Sequence, residues 1–286
     1  MNQWITGNSG QNKLVCLNDR YKQVCLDRIN SERNDFLNDY TPWMALSSGR
    51  EKLPNSLLRK SKLIIKEREK LEDLKRFYIP PANNIRNGLN TVEFGIEESD
   101  ENTYFQALAT FRDSNSFVVD VFNSVVTSIV PMKTIKKFVR KEGVGNSNHE
   151  SIGAIYLSIP EVECSTLQLA INIAHEVGHQ ALMIFQTSDS IIVPEQLSRY
   201  VYSCARKVDR PAIQSFHALV ALVYMRDFLK GINLQNKSKL EIDYIKTELI
   251  DYECKLKANV WDFKKISFTE IGSKIYSDIF NYVESY

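Results

Sequence analysis

The stretch that decides the fold runs from Gly153 to Phe185 and reads GAIYLSIPEVECSTLQLAINIAHEVGHQALMIF. Its opening GAIYLSI is apolar and partly β-branched, the pattern of a short strand. Pro160 ends that strand, because proline offers no N–H to a ladder. Ser165 and Gln168 then have the spacing of a capping box, so a helix is predicted from Thr166 to about Phe185. In its middle stands His175-Glu176-Val177-Gly178-His179. Four residues are about one helical turn, so the two imidazoles share a face and can reach one ion. Gly178 between them leaves room for close approach of another element or a substrate.

Working outward, apolar residues recur at helical spacing from about Lys13 to Leu37 and from Asn55 to Phe77. The second segment is highly charged, and its charge run reads as a solvated face. Pro80-Pro81 stops it, and the polar, Asn-rich stretch from Asn83 to Asn102 is the best lobe boundary. SFVVDVFNSVVTSIVPMK, from Ser116, is β-branched and its periodicity does not choose between helix and strand. It is followed by the loop EGVGNSNHES (residues 142–151). Beyond the motif, PEQLSRYVYSCAR (194–206) is read as a helix. RPAIQSFHALVALVYMRDFLKG (210–231) is read as another, with Pro211 near its first turn and Gly231 past its end. Helices over about Ser238 to Lys257 and Thr269 to Glu284 close the chain. The expectation is a mainly α protein of α+β class, with a small β-sheet next to the HExxH helix. Residues 1–100 form an N-terminal helical region and 101–286 the metal-binding catalytic region, as two parts or as one continuous domain.

Composition narrows the function classes. The chain of 286 residues carries 36 Lys plus Arg against 35 Asp plus Glu, scattered along its length, which marks neither a nucleic-acid nor a membrane surface. Its five cysteines are odd in number and dispersed, which suits reduced thiols in a cytosol. MNQWITGNSG lacks the pattern of a signal peptide, and no apolar run reaches a bilayer's span. A soluble, cytoplasmic protein with no nucleic-acid or membrane partner is expected.

On average composition HExxH arises by chance in roughly one chain in a hundred of this size, so its surroundings must share the argument. The bland alternative is a pair of satisfied core histidines. A metal site with open positions needs a third protein donor. The chain has four histidines, and His217 lies on an apolar helix where an unpaired imidazole is costly to bury. That makes His217 the leading third ligand. The rival is Glu195, 16 residues beyond His179, because some zinc peptidases draw a carboxylate from the next helix. Positions 182 and 185 are Leu and Phe, which excludes the metzincin pattern. Arg210, two helical turns before His217, is expected on the same side, where a guanidinium can clamp a carboxylate. Arg206 is a second candidate for that role, and Gln214 a residue that faces the site or orients its ligands.

HEVGHQALMIF, followed about thirty residues later by YVYSCARKVDRPAIQSFHALVALVYMRDFL, resembles the HExxH-type peptide β-hydroxylases of bacterial ribosomal-peptide natural-product pathways. The resemblance covers about Ser151 to Lys230. It implies Fe(II) as the metal, held by His175, His179 and His217, with Arg210 gripping the distal carboxylate of 2-oxoglutarate. It also implies O₂ and a peptide or protein as the further substrates, hydroxylation at a side-chain Cβ, and succinate and CO₂ as by-products. Glu176 is left open between a ligand and a supporting group. The alternatives are a zinc peptidase of gluzincin type, with Glu176 as general base and Glu195 on the metal, and a non-catalytic binding protein with a structural metal.

Overall fold

The computed structural model describes residues 3–31, 63–75, 92–134 and 145–286. It is mainly helical with a small four-stranded sheet and a separate two-stranded hairpin, the expected class. Helix α1 (Gly7–Ser31) starts earlier than its apolar spacing suggested, and the rest of that expected helix, to Leu37, lies outside the described residues. Of the helix read over Asn55 to Phe77, the described part is extended from Leu63 to Glu67 and helical only over α2 (Arg68–Leu74). Ile64 forms a parallel bridge with Ile129 and is buried, so the apolar residues read as a helix face partly serve the sheet instead. Most of the Asn-rich boundary stretch lies outside the described residues. Its end forms β1 (Val92–Phe94) and the first turn of α3 (Glu98–Arg112).

The undecided β-branched segment divides. Ser116 caps α4 (Phe117–Val125) by accepting from the Val118 N–H, and the chain then extends into β2 (Ser128–Thr134). The rest of the sheet is β3 (Gly145–Asn146) and β4 (Ala154–Ser158), the strand expected at GAIYLSI. The order is β1-β2-β4-β3, with β2 and β4 parallel and both outer pairs antiparallel. Every residue of β4 is buried, as expected of a strand covered on both faces.

Helix α5 (Ser165–Gln186) carries the motif. Its expected capping box is absent. The N-cap is Cys164, Ser165 already lies inside the helix, and the Gln168 amide bonds Asn172 and Tyr244 rather than the helix end. Gln180 fixes α5 to the sheet, accepting from the Gly153 N–H and donating to the Ala154 carbonyl at 2.8 and 3.0 Å.

The expected helix at PEQLSRYVYSCAR does not form. A 3₁₀ turn at Pro194–Gln196 leads into β5 (Tyr200–Ser203), which pairs with β6 (Val208–Pro211) as an antiparallel hairpin. The deciding pattern is alternation. Tyr200 and Tyr202 are exposed while Val201 and Ser203 are buried, a period of two that a helix cannot satisfy. The turn closes at Lys207, in the left-handed region at φ 56°.

Helix α6 (Ala212–Lys230) follows Pro211 as expected. Gly231 ends it at φ −80°, so glycine is not needed there for a left-handed turn. A side chain would collide with Ser114 and Asn115, and close approach is its reason. Helices α7 (Lys239–Val260), started by a Ser238/Glu241 capping box, and α8 (Glu270–Glu284) complete the order. One core joins Ile5 and Leu14 of the N-terminal part to α5, α6 and the last two helices. Asp278 ties the start of the chain to α8, accepting from the backbone N–H groups of Trp4, Ile5 and Thr6 and from the Thr6 hydroxyl. No helix among the described residues is long and apolar enough to cross a membrane.

Candidate metal centre

Beyond its first turn, α5 is buried except at Asn172, His175, His179 and Gln186. Steps of three, four and seven residues keep these on one face, so the helix opens to the surface along a single polar stripe. His175 and His179 occupy its middle. Their Nε2 atoms lie 3.0 Å apart and their ring centroids 4.7 Å apart.

The third imidazole arrives through close helix packing. A Cβ on Gly178 would stand 2.9 Å from Ala221 Cα, so the bare glycine lets α5 and α6 approach at this point. His217 lies one turn before Ala221 and is carried towards His179, with ring centroids 5.5 Å apart. A divalent ion sits about 2.1 Å from a ligating ring nitrogen, hence roughly 3.2 Å from the ring centroid. Two rings on one ion then lie about 4.5–5.5 Å apart for angles of about 90–120°. The 175/179 and 179/217 separations fall within that range. His149, unassigned from the sequence, brings the fourth histidine to the same place, its ring edge-on to His217 at 6.4 Å. That separation is too long for a neighbouring ligand, and His149 is exposed.

Glu176 lies on the buried side of the pair. It is 1% exposed, with Oε1 3.9 Å from His175 Nε2. His175, Glu176 and His179 offer ligand atoms that all lie within 4.8 Å of one another and could hold a metal ion; His217, nearer to His179, is not part of that group. The chain covers Glu176 closely: a side chain at Gly145 would overlap its carboxylate. Gly145 and Ser147 lie against Glu176, and His149, which opens a 3₁₀ turn, lies against His217. Asn146 and Asn148 meet each other instead. Burial pushes the Glu176 carboxyl up to about 8, while Ser147 and Arg206 pull it the other way. Glu176 Oε2 is buried and has no hydrogen-bond partner among the described residues. A buried carboxyl oxygen left in this state beside two imidazoles is the kind of atom a cation would satisfy.

His217 and His179 are held towards the uncharged form, the one that ligates. Burial lowers His217 to about 3, with His149 and Arg210 adding to it. Burial also carries His179 well below its ordinary value, helped by His175, His217 and both arginines. Arg210 does reach the site, but not as a helix neighbour of His217. It stands on β6 opposite the buried Val201, and cross-strand partners share a face, so it is half-buried against the centre, where desolvation lowers its own pKa. Arg206 is exposed on the hairpin turn and acts on Glu176 and His179 through its charge. Gln214 is exposed on the first turn of α6, and Glu195 is exposed on the 3₁₀ turn, outside the His-Glu-His group. The sequence reading missed Gln186, whose Oε1 lies 3.0 Å from His217 Nε2. Its spacing of seven from His179 was the available signal.

No model of a known protein family matches the chain, and no curated protein matches it.

Proposed function

We propose that this protein is an Fe(II)- and 2-oxoglutarate-dependent oxygenase that hydroxylates a peptide side chain, with His175, His179 and His217 as the metal ligands. The observation that carries the reading is the third imidazole: His217 stands 5.5 Å from His179, ring to ring. The peptide as substrate class comes from the resemblance of Ser151 to Lys230.

The residues fit such a centre. Three neutral imidazoles bring no negative charge to a divalent ion, so the ion and the guanidinium of Arg210 together favour a dianionic cosubstrate. Arg210 holds the carboxylate remote from the ion, its planar fork matching the two oxygens. Arg206, at the mouth, adds to the field that draws the dianion in. Glu176 keeps its proton while the ion is absent, because burial opposes its charge, and becomes a counter-charge when a cation arrives beside it. Gly145 and Ser147 shield that carboxyl from water. With iron and 2-oxoglutarate bound, the centre uses O₂ to convert a substrate C–H to C–OH while 2-oxoglutarate goes to succinate and CO₂.

The test is to purify the chain without oxygen, load Fe(II), and measure 2-oxoglutarate binding and its conversion to succinate with candidate peptides. Stoichiometric iron with saturable 2-oxoglutarate binding is expected, and zinc retention without 2-oxoglutarate binding refutes the proposal. One observation favours a second reading, zinc-dependent hydrolysis: Glu176 Oε1 is near enough to His175, at 3.9 Å, to serve as the base for a water at the ion. In that case Glu176→Gln abolishes hydrolysis and keeps zinc. The form of this reading that needs Glu195 on the metal is disfavoured by the exposure of that residue.

A further inference from the structure

We infer that Asn172 holds the peptide substrate, its carboxamide N–H donating to a backbone carbonyl about two residues from the side chain presented to the ion; this rests on reading the centre as one that acts on a peptide. Beyond the first turn of α5, Asn172 is one of the residues that escape burial, and the others are His175, His179 and Gln186. It stands three positions before His175 and seven before His179, so it shares their face. A peptide brought to the two imidazoles meets this stripe, because the rest of the helix there is core. The Asn172 carboxamide is held in one orientation. Gln168, one turn earlier and 4% exposed, donates from Nε2 to Asn172 Oδ1 at 2.9 Å. Gln168 Oε1 in turn accepts from the Tyr244 hydroxyl of α7. A buried amide adds little net stability; what this one does is fix the carboxamide at the surface beside the ligand pair. With Gln168 on Oδ1, Asn172 turns Nδ2 and its N–H donors to the stripe. Their match is a carbonyl oxygen, the acceptor that every residue of a peptide repeats. An ion gripped by both imidazoles lies at a level between them, about 7.5 Å along the axis from Asn172. An extended chain covers about 3.3 Å per residue, so two residues bridge that distance. Asn172 therefore reads backbone and fixes which residue faces the ion, without selecting its neighbours' side chains.

The experiment uses the full chain loaded with Co(II), whose visible absorption reports ligands that reach the ion. The probes are acetohydroxamate and the acetyl-alanine hydroxamates of one, two and three residues, which anchor on the ion and lengthen by one carbonyl at a time. In the wild type, affinity should rise about 10-fold between one alanine and two, the worth of one hydrogen bond at the length that reaches Asn172. Asn172→Asp keeps the acceptor for Gln168 and loses the N–H donors, so it should lose that step. Each affinity is taken relative to acetohydroxamate on the same protein, which cancels the effect of the added charge on the ion. Gln168→Leu should shrink the step with acetohydroxamate affinity unchanged, and a full step there strikes the part given to Gln168. A wild type with no step at two alanines overturns the proposal, as does a step that survives Asn172→Asp. Failure of the centre itself looks different: a chain that takes up no Co(II), or whose Co(II) binds no hydroxamate, removes the functional reading and the proposal together.

Discussion

Replacing Glu176 by Gln should abolish the fall in stability of the metal-free protein as pH rises above neutrality. The carboxyl goes from an ordinary value of 4.5 to about 8 on burial. Between those values the folded chain holds a proton that the unfolded chain has released, so stability declines as pH increases. His217 works in the opposite sense. Its folded value of about 3 lies below the ordinary 6.5, so its contribution grows up to pH 6.5 and is constant above. His179 is lowered likewise, so the difference between wild type and Glu176→Gln over pH 6.5 to 8 isolates the glutamate. Each pKa unit corresponds to 1.36 kcal/mol, and the 1.5 units of that interval give a loss of about 2 kcal/mol. Urea unfolding of EDTA-treated protein at pH 6.5 and 8 measures it. The wild type should lose about that much relative to Glu176→Gln. Gln is isosteric and remains neutral, so its fit against Gly145 is kept. Parallel losses in both proteins would refute the assignment of this carboxyl as buried and protonated. Saturating metal should remove the slope from the wild type, because a cation beside Glu176 draws the proton off.

The remaining predictions address the site and its frame. His217→Ala should weaken metal binding by at least about 10-fold in competition titration, whereas His149→Ala should leave metal affinity within about 2-fold, because its ring is exposed and lies beyond the separation of adjacent ligands. Arg210→Gln should raise the dissociation constant for 2-oxoglutarate by about 10–100-fold, the worth of a charged hydrogen-bonded clamp, with metal content unchanged. Gly178→Val should destabilise the fold by about 1–3 kcal/mol and reduce metal affinity, since its side chain must push Ala221 and the helix of His217 away. Asp278→Ala leaves three backbone N–H groups and the Thr6 hydroxyl without their acceptor. It should cost about 2–4 kcal/mol in urea unfolding and speed amide exchange in the first residues.

Much of the frame was legible locally. The strand at GAIYLSI, the motif helix and the last three helices follow from periodicity and end signals, because each depends on neighbours within a few turns. So did the metal-ligand spacing of His175 and His179, which one helical turn dictates. The hairpin at Tyr200–Pro211 was legible in principle: Tyr-Val-Tyr-Ser alternates, and that pattern was overridden by helix-favouring residues around it. Arg210 was expected beside His217 on a helix; it lies on a strand instead, and its charge acts on His179 and His217 from there.

The amino-acid order alone determined which side chains had the chemistry to bind a metal and which helix presented the first two. Only the tertiary structure decided that His217 and His149 come to the same place, that Gly145 closes over Glu176, and that Gln186 engages the third imidazole. These contacts join residues about thirty or more positions apart, and they depend on the depth to which α5 and α6 interlock at Gly178 and Ala221. No local pattern encodes that depth, because it is set by the packing of the whole core around the two helices.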